Sequence, residues 1–515
     1  MTKRYFLLTL SFLLFLQLGL ADEGMYPISE IHKLNLRAKG LKIDPKAIYN
    51  PNGIGLIDAV VQLSGCTGSF ISSDGLILTN HHCAFGAVQA ASTRENDYVT
   101  NGFFAQTRQE EIQARGISAR ILESYRDVSK DVMGVVNDKM ELADRTKAID
   151  KKIREIVAET EKKYPGKRAE VSEMFAGKTY VLFLSTMLRD VRLVYVPPRS
   201  IGEFGGENDN WVWPRHTGDF SFLRAYAAPD GSPAEYSTNN VPYHPKKFLK
   251  VNPAGVDEGD FAFILGYPGR TFRHRTSHYL AYEENDRMPY VADLFDWQIS
   301  TMEAMGKNDR AIALKHDARI KGLANTMKNY RGKLLGMKRM HLVENKQGEE
   351  KLLQQFIEAD PQRKALYGTV LEEIGKVYQE MSERGTSELI LDNLRSSSQL
   401  LSYGFTLYES AIEMQKPDME RLPAYMERNL ANTKQGLRTG LRNYYEPTDK
   451  AFLKHIVMQA LALPENQRID IVDKQFKGRT EQEIEQTINE GYAQSKLTNE
   501  DVLLSSFGKP LAELE

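Results

Sequence analysis

The chain has 515 residues, of which 67 are Lys or Arg and 69 are Asp or Glu, for a net charge of −2. That balance gives no electrostatic footing for nucleic acid or an anionic membrane surface. An apolar content of 41% with 26% charged residues fits a soluble globular protein, and the length suits two or more domains.

The chain opens with Lys3 and Arg4, an almost wholly apolar run from Tyr5 to Leu16, and the small residues Gly19 and Ala21. This pattern predicts a secretory signal peptide over residues 1–21, cleaved before Asp22. An N-terminal membrane anchor is the weaker reading, because a span needs about 20 apolar residues. No later segment is long and apolar enough to cross a bilayer. A secreted chain lives in oxidising conditions, where disulfides persist.

From Asp22 to about Thr276, short apolar runs alternate with Gly, Pro and Asn turns, as in a β-barrel. The only two cysteines lie at the ends of one stretch, "CTGSFISSDGLILTNHHC", Cys66 to Cys83. "GSFI" and "LILTN" are β-prone and "SSDG" is a turn. A hairpin brings its ends together, so a Cys66–Cys83 disulfide is expected. Closing a loop of about 17 residues stabilises by roughly 3 kcal/mol. A metal site of Cys66, Cys83, His81 and His82 competes, but adjacent histidines on a strand rarely point the same way. A histidine just before the second cysteine, at the end of an apolar strand, is the arrangement of chymotrypsin-like serine proteases. His82 fills that slot and His81 does not.

The stretch from about Asp131 to Tyr164 is charged, with apolar residues spaced by three and four, and predicts a helical excursion. Strand signals return at "KTYVLFLSTM" and "VRLVYVPP". A general base of the His82 type needs a carboxylate to orient its ring. "GGENDNWVWPRHTGDFSFLRAYA", Gly205 to Ala227, supplies one: Asp219 lies between a "HTG" turn and the alternating strand "FSFLRAYA". Asp209 is the rival, among Asn208 and Asn210 in an expected loop. "LGYPGR", Leu265 to Arg270, reads as a turn after an apolar strand "FAFIL" and carries no catalytic role. From about Ser277 to Leu504 almost everything reads helical, with a break before Pro361.

Together "DEGMYP", "GCTGSFISSDGLILTNHHCAFGAVQ", the Gly205–Ala227 stretch, "GDFAFILGYPGRTFRH" and "GLANTMKNYRGKLLGM" resemble the bacterial dipeptidyl-peptidase 7 and 11 family. The similarity runs through the whole mature chain. It implies an α+β multidomain protein: a chymotrypsin-like β-barrel, the first of a double barrel, over residues 22–276, then a large α-helical domain over 277–515 that caps the cleft. It implies His82 as general base, Asp219 as its orienting carboxylate, and Asn210, Trp211 and Asn325 as the grip on the free α-amino group of a peptide. Asn329, one helical turn on, is the alternative to Asn325. It also implies a periplasmic or cell-surface enzyme, a homodimer and no cofactor.

One part of the family pattern is missing. The nucleophile of the family lies in a Gly-Asn-Ser-Gly motif near the C-terminus, and these 515 residues contain none. The resemblance therefore implies that the second barrel, with the serine, the oxyanion hole and the specificity pocket, is absent from this sequence, and that the chain alone is inactive. The expected function is that of a secreted serine-type dipeptidyl aminopeptidase. The alternatives are a secreted peptide-binding protein that kept the cleft and lost the nucleophile, and a secreted metalloprotein using His81, His82 and the cysteines.

Overall fold

A computed structural model describes residues 25–514 apart from 138, 176, 270, 271 and 273. The segment 1–21, read above as a signal peptide, lies outside the described residues, as does Arg270 of the "LGYPGR" turn. The structure joins a large antiparallel sheet to a large helical region. The strands are β1 (Val60–Leu63), β2 (Cys66–Phe70), β3 (Leu76–Thr79), β4 (Phe103–Phe104), β5 (Ile112–Gln113), β6 (Ala119–Asp127), β7 (Lys167–Met174), β8 (Thr179–Leu188), β9 (Asp190–Val196), β10 (Ser221–Ala227) and β11 (Val241–Pro242).

The strand order is β4-β9-β10-β3-β2-β1-β6-β8-β7, with β5 on β9 and β11 on β10. β8 and β9 lie near opposite ends of this path, yet only Arg189 separates them in the chain. The sheet therefore curls back on itself. Its interior is apolar: Val61, Phe70, Ile77, Leu188, Leu193 and Leu223 form one buried cluster.

Among the described residues, two α-helices of more than five residues belong to the sheet region. α1 (His81–Ala91) follows β3 after a single residue, and α2 (Leu142–Lys163) lies within the charged excursion. The apolar face of α2, with Ile149, Ile156 and Val157, packs on Ala169 and Leu182 of the long β7–β8 hairpin. Beyond Ser277 the longer helices are α3 (Met288–Gly306), α4 (Arg310–Met340), α5 (Leu342–Glu358), α6 (Val370–Ser397), α7 (Gln399–Glu413), α8 (Glu427–Asn443), α9 (Glu446–Leu461) and α10 (Glu481–Gln494). α5 ends just before Pro361, which starts a new short helix as its N1 residue. α4 is rooted in the sheet region: Leu314 is part of the sheet's buried cluster, and its carbonyl accepts the Gln89 side-chain amide of α1.

Two local expectations change. Cys83 and both histidines are not on a strand. β3 stops at Thr79, Asn80 is the N-cap, and His81, His82 and Cys83 form the first turn of α1. "FAFIL" is not a strand either; it is irregular chain, with Ile264 98% exposed. A strand exists only as part of a ladder, and among the described residues nothing pairs with this segment.

Candidate active site

The disulfide forms between Cys66 at the start of β2 and Cys83 in the first turn of α1, with 6.1 Å between Cα atoms. It ties the N-terminus of α1 to the sheet. Both sulfurs are then bonded to each other, so they do not act as thiolate ligands, although His82 lies close to them.

His82 and Asp219 meet. His82 Nδ1 lies 2.7 Å from Asp219 Oδ2, and the His82 backbone N–H donates to Asp219 Oδ1 at 2.9 Å. Asn80 Nδ2 donates to the Asp219 carbonyl at 3.0 Å and to its carboxylate at 3.3 Å. Asp219 precedes β10 by one residue, and β10 pairs with β3, whose end leads into α1. The sheet register thus delivers the carboxylate to the helix N-terminus, where backbone N–H groups lack partners and negative charge is favoured. Burial raises the Asp219 pKa, but hydrogen bonds from the His82 ring and backbone outweigh it and hold it below the ordinary value. An ionised carboxylate only accepts, so Nδ1 carries the proton and Nε2 is left as the basic nitrogen. The His82 side chain is 52% exposed.

His81 is different. It is 1% exposed, and burial pushes its pKa down to about 4. Its Nδ1 is buried without a hydrogen-bond partner. Among the described residues no serine hydroxyl bonds the His82 ring. Ser221, two residues past Asp219, is fully buried with its hydroxyl unpartnered.

The three residues expected to grip an amino group also come together. Trp211 Nε1 donates to Asn325 Oδ1 at 3.0 Å and to the Asn325 carbonyl at 3.1 Å. Asn210 Nδ2 lies 3.4 Å from the same Oδ1 and donates to Glu207 Oε2 at 3.0 Å. Glu207 and Asp209 lie on the helical turn Gly206–Asp209, so Asp209 does not take the place beside His82. Trp211 itself adopts φ 60°, a left-handed conformation that costs of order 1 kcal/mol or more in a non-glycine residue. Its indole N–H anchors on Asn325 while the residue stays 59% exposed.

A family model described as Peptidase S46 matches residues 21–512. This chain belongs to the peptidase S46 family. Dipeptidyl-peptidase 7 of Capnocytophaga gingivalis is 37% identical over 394 residues, covering 75% of this chain and 54% of that protein. The Asp/Glu-specific dipeptidyl-peptidase of the same organism is 34% identical over 457 residues, covering 86% of this chain and 62% of that protein. The S46 chain thus spans between half and two thirds of the length of these curated relatives. Among solved structures, Porphyromonas endodontalis DPP11 in complex with the dipeptide Arg-Glu matches with a TM-score of 0.76 at 28% identity, over 95% of this chain and 72% of that one.

Sequence reasoning missed two groups in this S46 site. Asn80 donates to Asp219, and Glu207 accepts from the Asn210 side-chain amide. Asn80 had a local signal, since an Asn before the Ala-rich run "HHCAFGAVQAA" is a helix N-cap pattern. Glu207 had none.

Proposed function

We propose that this S46 chain carries the acid–base half and the amino-terminus grip of a secreted serine-type dipeptidyl aminopeptidase. His82 Nε2 takes the proton of a serine hydroxyl as that oxygen attacks the peptide carbonyl, then returns it to the leaving amine. Asp219 holds the tautomer and stabilises the imidazolium that forms. The side-chain oxygens of Asn210 and Asn325, with the Glu207 charge nearby, accept the peptide α-ammonium, and the Trp211 face lies beside the first residue. The observation that carries this reading is the 2.7 Å contact of His82 Nδ1 with Asp219, in a chain whose relatives are dipeptidyl-peptidases.

The curled sheet supports reading residues 22–276 as a chymotrypsin-like barrel, with residues 277–515 as the helical cap of its cleft. No described helix is long and apolar enough to cross a membrane.

The test is expression of the whole gene and assay on chromogenic dipeptidyl substrates. Wild type should release the chromophore, and His82→Ala should not. Residues 22–515 alone should release none. Hydrolysis by the His82→Ala protein, or inhibitor-sensitive hydrolysis by residues 22–515, would contradict the reading. Tight peptide binding without turnover by the whole product would favour a binding protein instead.

A further inference from the structure

A ladder of contacts runs between α1, the helix that begins with the two histidines, and the amino-terminus grip, and the reaction steps above do not use it. One face of α4 meets the segment 199–211 rung by rung. Asp317 Oδ1 lies 3.4 Å from Arg199 Nη1, Lys321 Nζ donates to Glu203, Asn325 meets Asn210 and Trp211, and Lys328 Nζ lies 3.4 Å from the Asn208 carbonyl. Residues three or four apart share one face of a helix, so these rungs form one stripe. The stripe is tied back to the sheet region at its start, where Arg310 pairs with Asp97 at 2.8 Å and with Asp317 at 3.1 Å.

Lys321 is the junction of this ladder. It precedes Asn325 by one helical turn. Its ammonium lies 4.5 Å from the centre of the Phe85 ring, and Phe85 is on α1, the helix that starts with the histidines. Phe85 in turn packs edge-on against His81 at 5.9 Å. The segment carrying Glu203 is equally close on that side: a Cβ at Gly202 would fall 2.4 Å from the His81 ring. One side chain therefore touches the helix of the base, the segment carrying Asn210 and Trp211, and sits on the helix of Asn325. The Lys321 and Glu203 side chains are 22% and 13% exposed; Glu203 also accepts from Arg199 Nε at 2.7 Å, so removing Glu203 strands a largely desolvated ammonium, while removing Lys321 leaves Glu203 held by Arg199 alone.

We propose that Lys321 is a positioning residue which, through Glu203 and Phe85, fixes the distance between the amino-terminus grip and His82 and thereby the dipeptide register of cleavage. This rests on the function proposed above. One extended residue spans about 3.5 Å, so a modest drift of α4 against α1 degrades the fit of the scissile bond, and a drift of one residue's length presents the wrong bond. Misplacement of about 1 Å can cost up to about 100-fold in rate.

The test uses the product of the whole gene, free-amine peptides, and mass spectrometry of the first products. Lys321→Met should lower kcat by about 10-fold or more with a smaller change in KM, and should add single residues or tripeptides to the first products. Lys321→Arg, which keeps the charge for Glu203 and the cation for the Phe85 face, should restore both. A structural role alone would lower the yield of active enzyme without changing kcat per active site or product length. Should Lys321→Met fail to fold, Glu203→Gln takes its place with the same expectation. Wild-type kcat and pure dipeptides from the folded variant, or no rescue by Lys321→Arg, would overturn the proposal. If wild type and His82→Ala differ as expected while Lys321→Met matches wild type, only this inference fails. If wild type releases no dipeptide, the function reading fails and takes this inference with it.

Discussion

Asp219 holds His82 at two points, the ring Nδ1 at 2.7 Å and the backbone N–H at 2.9 Å. The carboxylate therefore fixes the ring and caps the helix that carries it. Asparagine offers one acceptor where aspartate offers two, so Asp219→Asn must lose one contact or reverse the tautomer. In the product of the whole gene, kcat should fall by about 10³–10⁴-fold, with KM little changed because the amino-terminus grip lies elsewhere. A kcat within 10-fold of wild type would show that another acid serves His82.

The disulfide anchors the same helix at the next residue, Cys83. Thiol titration of the denatured, unreduced protein should find no free thiol, and two after reduction. Replacing both cysteines by serine should lower stability by roughly 3 kcal/mol and loosen the first turn of α1. Two thiols titrating before reduction would refute the bridge.

Buried His81 should leave a signature in the pH dependence of stability. Its folded pKa, about 4, lies below the unfolded value of about 6.5. The unfolded chain binds a proton that the folded chain refuses, so stability falls as pH drops from about 6.5 towards 4, by up to about 3 kcal/mol. Denaturant unfolding at a series of pH values should show this slope in wild type and a weaker one in His81→Gln. Parallel curves would mean that His81 is not held neutral.

The Asp97–Arg310 pair joins the sheet region to α4, and it too loses stability as pH falls, in a lower pH window. Burial raises the Asp97 pKa, but Arg310 and the Thr100 backbone and hydroxyl outweigh it and bring it down to about 2. A depressed carboxyl contributes stability above its unfolded pKa and loses it as pH falls through the folded one. Asp97→Asn should cost about 2 kcal/mol at pH 7, and the gap to wild type should close between about pH 4 and pH 2. A gap that does not change with pH would contradict the pairing.

Much of the site was legible because its signals are local. A paired Cys spacing, a histidine beside the second cysteine and an aspartate before an alternating strand are all short patterns. The structure brings their side chains together as that reading expected. The helix start at Asn80 was missed because the alternation of "LILTN" was carried forward into an Ala-rich run that favours a helix. "FAFIL" was misread because apolar β-prone residues form a strand only when another strand pairs with them. The ladder was invisible for a different reason: Lys321 and Glu203 are 118 residues apart, and neither stands in a motif. Such pairs follow from how helices dock on the sheet, which one chain's local pattern does not encode.

The most direct measurement is a pair of peptides identical except for acetylation of the N-terminus, digested by the whole gene product and read by mass spectrometry. The amino-terminus grip and the His82–Asp219 pair must act together only on the free amine. Dipeptides should appear from the free peptide, be nearly absent from the acetylated one, and vanish from both with His82→Ala. Equal cleavage of the two peptides, or dipeptide release that survives loss of His82, would contradict the account.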